Sequence, residues 1–333
     1  MSRDNITEKE TGPRGRNATQ PSQITNAGWW DILLRVKDQI SHDNVSIVAA
    51  GVAFYAVLAL FPALAAMVSL YGLFTEVSDV QQQITSLSSF LPQDAQTLIE
   101  EQLTTISTSG QSALSFGAIG GLLFAIWSAS KGMSAMITSL NIAYNEEEER
   151  SLIKVTALAV GLTVGSLVFV ILTLFLIALL PTVLEALGFG RTIQTVLSLS
   201  RWPLLAVIVM GGLAILYRYA PCRNYPRWQW VSWGAGIATL LWMVGSSAFA
   251  IYANDYSSYN QTYGSLGAAV ILLMWFWLTA FIVMVGAEIN SEMERQTRVD
   301  TTAGEPEPMG QREAYSADTL GRTAERQPHS TRS

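Results

Sequence analysis

The sequence predicts an all-α fold: a polytopic membrane helix bundle with six transmembrane helices and an external amphipathic helical hairpin between helices 1 and 2. Three observations predict it. Six apolar stretches each approach or exceed the roughly 20 residues that cross a hydrocarbon core of about 30 Å. Half of the 333 residues are hydrophobic and only 14% are charged, where a soluble domain carries about a quarter. Basic residues gather in alternate loops, as in a chain threaded back and forth through a bilayer.

Residues 1–27 are polar and lack the apolar core of a signal peptide, so they are expected to form a disordered tail ahead of a signal-anchor span. In residues 28–44, Trp29, Leu33, Val36 and Ile40 share one helical face, with Arg35, Lys37 and Asp38 off it. That pattern fits an amphipathic helix lying on the inner leaflet, or an extension of the first span. The six-helix domain follows over residues 45–290. Its spans are expected near residues 45–74, 113–137, 152–180, 202–219, 230–253 and 266–287. In lipid each backbone polar group must be satisfied within its own segment, which selects helices. The loop after the first span carries Val77, Val80, Ile84, Leu87 and Leu91, then, past Pro92, Leu98, Ile99, Leu103 and Ile106. These spacings fit two short amphipathic helices, a hairpin that is either a lid or a cap. Residues 299–333 are rich in Thr, Glu, Pro, Gly, Ser and Arg and are expected to be a disordered tail.

Charge sets the expected orientation. Arg35 and Lys37 precede the first span; Lys131, Arg150 and Lys154 flank the second loop. Arg218, Arg223 and Arg227 mark the fourth loop, and Arg295 and Arg298 follow the last span. The first loop has no Lys or Arg but holds Glu76, Asp79, Asp94, Glu100 and Glu101; only the third, with Arg191 and Arg201, is ambiguous. The positive-inside rule then puts both termini in the cytoplasm.

Polar groups at span ends are the candidate functional positions. Lys131 and Glu288 are expected at similar depth, where they either pair or snorkel separately to the interface. Asn290 closes the last span beside Glu288. Tyr252, Tyr256, Tyr259 and Tyr263 crowd one external turn, either as an aromatic belt or as a gate, and Gly264 and Gly267 imply a tight turn into span six. Gly117 with Gly121, and Gly161 with Gly165, carry the small-residue spacing of close helix packing.

Four stretches resemble the YihY/BrkB family of bacterial inner-membrane proteins. They are AAGVAFYAVLALFPAL (residues 49–64), WSASKGMSAMITSLNIAY (127–144), LYRYAPCRNYPRW (216–228) and YGSLGAAVILLMWFWLTAFIVMVGAEIN (263–290). Tyr217 and Pro221 match the family's Y-x-x-x-P, and Tyr263, Gly264, Gly267, Trp275, Gly286, Glu288 and Asn290 match its closing motif. The resemblance spans about residues 40–293. It implies six transmembrane helices and the inner membrane, but no agreed activity or catalytic residue. Members have been labelled ribonuclease BN or serum-resistance factor, and some are associated with export of envelope lipids.

The residues favour a transporter or flippase-like exporter of an amphipathic envelope molecule, with a membrane scaffold that binds envelope proteins as the alternative. Membrane lipids are the expected partners; no cofactor, metal or nucleic acid is expected, and the oligomeric state stays open. An enzyme is not expected. The lone Cys222 makes no thiolate cluster, and His42 and His329 are far apart, so neither a metal site nor an acid–base cluster for RNA cleavage is assembled. Ser265 in a Gly-Ser-Leu-Gly turn and His42 are expected on opposite faces of the bilayer, out of reach of each other.

Overall fold

The computed structural model describes residues 13–74, 111–174, 191–255 and 265–323. Among them every regular element is helical, with one isolated antiparallel bridge between Pro226 and Thr302. We number the helices α1 (Asn26–His42), α2 (Val45–Phe74), α3 (Gln111–Tyr144), α4 (Leu152–Leu174), α5 (Arg191–Tyr219), α6 (Trp228–Asp255), α7 (Ser265–Glu294) and the single turn α8 (Tyr315–Asp318). The expected external hairpin falls in residues 75–110, outside the described residues.

Among the described residues, three helices carry an apolar stretch long enough to cross a membrane: α4, α6 and α7. A fourth is made if α1 and the first part of α2 count as one span bent by 62°. Six spans were expected from the sequence; in α5 the described apolar helix is Pro203–Tyr219, and the expected stretches 45–74, 113–137 and 202–219 each include residues whose side chains fall outside the described ones.

The bundle is organised around α7, which supplies residues to three buried clusters. Val283 and Ala287 pack with Ile137, Leu140, Tyr144, Tyr217 and Val231. Ile289 and Met293 meet Ile32, Val36 and Trp230. Ala280 and Met284 meet Val45, Ala49 and Val52 of α2. One helix is therefore in contact with nearly every other, and its side chains sit at the centre of whatever the bundle does.

Two expectations about the ends are corrected. The tails are not disordered where they are described. Residues 13–25 and 295–323 close around the last two turns of α7, with Arg298 donating its amide to the Arg16 carbonyl at 2.8 Å. The Arg16 guanidinium donates to the Gly321 carbonyl at 2.7 Å, and Thr297 donates its hydroxyl to the Ala18 carbonyl at 2.7 Å. Composition pointed to disorder because these segments bury little apolar area; they are ordered by hydrogen bonds to a polar helix end instead. Both tails thus lie at one end of the bundle. The second correction concerns α1. Its buried face holds Asp31, Ile32, Arg35 and Val36, while Trp30 and Leu33 are exposed. The helix therefore docks through Ile32 and Val36, with Trp29 and Ile40 packed beside them, and the charged Asp31 and Arg35, the latter expected off the apolar face, are buried with it. Thr25 caps it, accepting the Gly28 amide at 3.3 Å.

Candidate functional site

Between α2 and α3 a groove of about 460 Å³ opens outward at the tail-bearing end. One wall is Val48, Gly51, Val52 and Tyr55; the other is Lys131, Ser134, Ala135 and Thr138. The helices can lie close because Gly132 faces the Tyr55–Ala56 backbone, where a Cβ would sit 3.7 Å away in ordinary contact. Ser134 and Thr138 return their hydroxyls to the Ser130 and Ser134 carbonyls of their own helix, at 2.8 and 3.1 Å. Lys131 is left as the groove's cation, its Nζ 5.3 Å from the centroid of the Trp127 ring. Phe54, Leu58, Leu123 and Phe124 are exposed on the same two helices, and the Phe124 ring lies 5.8 Å from that of Trp127. The arrangement is a positive charge at the head of an apolar track.

Behind the groove, α6 crosses α7 at two glycines. A methyl group on Gly234 would overlap the Asn290 side chain and the Gly286 carbonyl. One on Gly286 would overlap the Tyr217 hydroxyl and lie 2.7 Å from Ala238 Cβ. Three polar contacts hold this crossing. Asn290 Oδ1 accepts the Gly234 amide at 2.9 Å, and its Nδ2 donates to the Val231 carbonyl at 3.3 Å. Tyr217 of α5 donates its hydroxyl to the Val283 carbonyl at 2.8 Å.

Past the crossing, α7 ends in a sealed polar segment. Arg223 reaches Glu294 with two bonds, 3.1 and 2.6 Å, and neither side chain has any exposure. Thr301 adds a hydroxyl to the same carboxylate at 2.6 Å. Arg35 and Arg295 both bond Glu292. Glu288, one turn earlier, is fully buried, and none of the described donors reaches its oxygens.

The acidic run between α3 and α4 is not uniformly solvated. Glu148 takes two bonds from Arg150, at 2.7 and 2.6 Å, and one from Asn141 at 3.0 Å. The Arg150 bonds, then Asn141, hold its carboxyl down at about 2. Glu146 is pushed up to about 7 by burial, although it accepts the Tyr315 amide at 2.8 Å. Glu146, Glu147, Glu149 and Arg150 line a polar depression of about 590 Å³ with Arg223, Asn224 and Glu313.

Of the positions singled out from the sequence, Tyr217 and Asn290 meet at the α6–α7 crossing, Glu288 is buried elsewhere on α7, and Lys131 stands apart in the groove. Lys131 and Glu288 form no ion pair: one is exposed on Trp127, the other buried beyond the described donors. Gly267 lies inside the first turn of α7 and not in a turn before it. Tyr259, Tyr263 and Gly264 lie outside the described residues. A methyl group placed on Gly161 or Gly165 would have nothing within 4 Å, so their spacing does not mark a close crossing among the described residues. Asp43, which lies against Glu288, and the Arg223–Glu294 pair were missed. Each joins segments remote in sequence; the only local hint was the charged run Glu292 to Arg298 directly after an apolar span.

The profile of the family described as Virulence factor BrkB matches residues 36–311. The chain is 30% identical to YfkH of Bacillus subtilis, a protein named only as ribonuclease-like, over 257 residues covering 75% of this chain and 90% of that one. It is 28% identical to a UPF0761 membrane protein of Cronobacter sakazakii over 78% of this chain and 87% of the relative. A UPF0761 membrane protein of Tolumonas auensis is 23% identical over 77% and 82% of the two chains. No solved structure matches. The matched region runs from α1 to the ordered C-terminal segment and takes in the groove, the glycine crossing and the sealed polar end, and on that extent the chain belongs to the virulence factor BrkB family.

Proposed function

We propose that the protein binds an anionic, amphipathic envelope lipid in the α2–α3 groove and moves it across the inner membrane. The observation that carries this reading is the groove itself: one lysine at the head of an apolar track open to the side. A phosphate or carboxylate headgroup would sit against Lys131, with its chain along Phe54, Leu58 and Phe124. Reconstituted protein is expected to speed the exchange of a fluorescent anionic phospholipid between vesicle leaflets. Lys131→Glu should abolish that gain, and Lys131→Ala should weaken lipid binding by about 1 kcal/mol, roughly fivefold. Folded protein that leaves leaflet exchange unchanged counts against the proposal. RNA cleavage by the purified protein that vanished in Glu288→Ala would favour an enzyme instead.

Six spans with both termini in the cytoplasm complete the proposal. The two tails are hydrogen-bonded to each other, which supports an even number of crossings. Arg218, Arg223, Arg227, Arg295 and Arg298 cluster at that end, which supports the cytoplasmic side. An impermeant thiol reagent applied to whole cells should label a Glu100→Cys variant and spare the Cys222 region; the reverse would invert the orientation.

The scaffold reading draws on one feature, the polar depression lined by Glu146, Glu147, Glu149 and Glu313 at the tail-bearing end. A stable stoichiometric partner cross-linked there in cells, with no lipid movement in vesicles, would favour it.

A further inference from the structure

At the elbow between α1 and α2, a second acid meets Glu288. The carboxyl of Glu288 is fully buried, and no N–H or O–H among the described residues reaches either oxygen. Lying against it, within hydrogen-bonding reach, is the carboxyl of Asp43. The Asp43 side chain is itself only 7% exposed. Its Oδ1 is 2.8 Å from Nδ1 of His42, whose ring is 76% exposed, and Gln39 approaches its other oxygen at 3.5 Å. Two carboxyl groups in contact and shut away from water do not both stay ionised; a hydrogen bond between them needs one proton.

The surrounding charges do not supply a substitute. On α7, Glu292 adds negative charge, and the nearby Arg295 is committed to that same Glu292, as is Arg35 of α1. From α3 the Tyr144 ring faces the site, and α2 and the adjoining half of α6 carry no charged residue. Among the described residues no trio of His, Cys, Asp or Glu is placed to hold a metal ion. The elbow is tight: Asn44 takes a left-handed φ of 50°, and the chain turns by 62° between α1 and α2.

We propose that Asp43 and Glu288 bind one proton between them, exchanged with water through His42, and that this proton clamps the α1–α2 elbow to α7. Its loss sets two negative charges against each other and releases the elbow. Val48, the first residue of the groove wall, lies one helical turn past the elbow, so proton occupancy and groove width are mechanically linked. The proton site stands independently of whether the groove carries lipid.

Infrared titration of the lipid-reconstituted protein tests this directly, because a protonated carboxyl absorbs apart from a carboxylate. It is done in a Glu146→Gln background, since Glu146 also titrates near neutrality. The expected result is one protonated-carboxyl band at pH 7, sensitive to deuterium, that disappears in both Glu288→Gln and Asp43→Asn. Each amide variant keeps a donor for the remaining carboxylate and should elute as folded protein, whereas Glu288→Ala is not needed for the comparison. A band that survives in either folded amide variant overturns the proposal. So does a band that is absent from the parent at pH 7, or one displaced by sodium chloride at constant ionic strength, which would make the ligand a metal cation.

Discussion

Gly234 and Gly286 have no room for a methyl group, while one on Gly161 or Gly165 would meet nothing within 4 Å among the described residues. The first pair lies where α6 crosses α7, and the second lies along α4. Both sets look alike in the sequence, as small residues in apolar helices. What separates them is the polar clamp. Asn290 bonds the backbone of α6 at Gly234 itself and at Val231, and Tyr217 bonds α7 three residues before Gly286. Lipid tails are as apolar as Leu, so small residues alone give helices little reason to associate; close packing and hydrogen bonds supply it. A glycine in such a helix marks a crossing when a polar side chain is placed to bond across it. Without one, it marks a thin face open to lipid.

The comparison is broken most severely below the crossing, at the sealed polar end. Arg223→Ala should destabilise the protein by about 3–5 kcal/mol, because it strands the Glu294 carboxylate with Thr301 as its main donor. Thermal unfolding in detergent measures this, and a loss under about 1 kcal/mol would mean that the end opens to water. Next is Gly286→Val, which drives a side chain into Tyr217 and Ala238. It should cost up to about 3 kcal/mol, the upper part of the range for overpacking. Gly161→Leu and Gly165→Leu should stay within about 0.5 kcal/mol of the parent. Equal losses at both pairs would abolish the distinction drawn above.

Much of this architecture was legible in the sequence for a definable reason. The helical class and the position of α2, α4, α6 and α7 follow from long apolar runs, which few other structures can satisfy in lipid. Glu288 and Asn290 stood out because a polar group at the end of such a run is costly unless it is bonded, and Tyr217 through its match to the family's Y-x-x-x-P. Their partners did not stand out. Val283 and Gly234 engage through backbone atoms, which no side-chain pattern reports. Arg35 meets Glu292 across 257 residues of chain, and Arg16 reaches Gly321 across 305. The same remoteness explains the tails: their composition is that of disorder, and only the exposed polar groups of α7's end give them something to bind. Lys131 and Glu288 were expected at similar depth, either paired or apart, and depth says nothing about which face of a helix a residue takes.

A smaller effect sharpens the clamp. Tyr217→Phe removes one hydroxyl and leaves the ring packed among Tyr144, Ala235 and Val283. The expected loss is about 0.5–1.5 kcal/mol, that of one buried hydrogen bond. Paired with Asn290→Ala in a double-mutant cycle, it should lose more than the sum or less than the sum, because both bonds fix one crossing. Strict additivity would make them independent contacts and not a clamp.

The gentlest test uses pH at the junction of the two regions. Glu146 accepts the Tyr315 amide, and burial raises its carboxyl to about 7 from an ordinary value of 4.5. A carboxyl raised in the folded state binds more protons there than in the unfolded chain between those two values. Its protonated form is therefore favoured by folding, a contribution fully present below about 4.5 and lost as pH rises through about 7. Glu146→Gln mimics the protonated group at every pH. The variant should melt at or above the parent at pH 8, and the difference should close by pH 5. Because the depression is partly open, the gap is expected to be small. A variant that melts below the parent at pH 8 would mean that the ionised carboxylate, held by Tyr315 and the field of Arg223, is the form the fold prefers. Burial would then not dominate at this end of the molecule, and the C-terminal segment would be latched by charge.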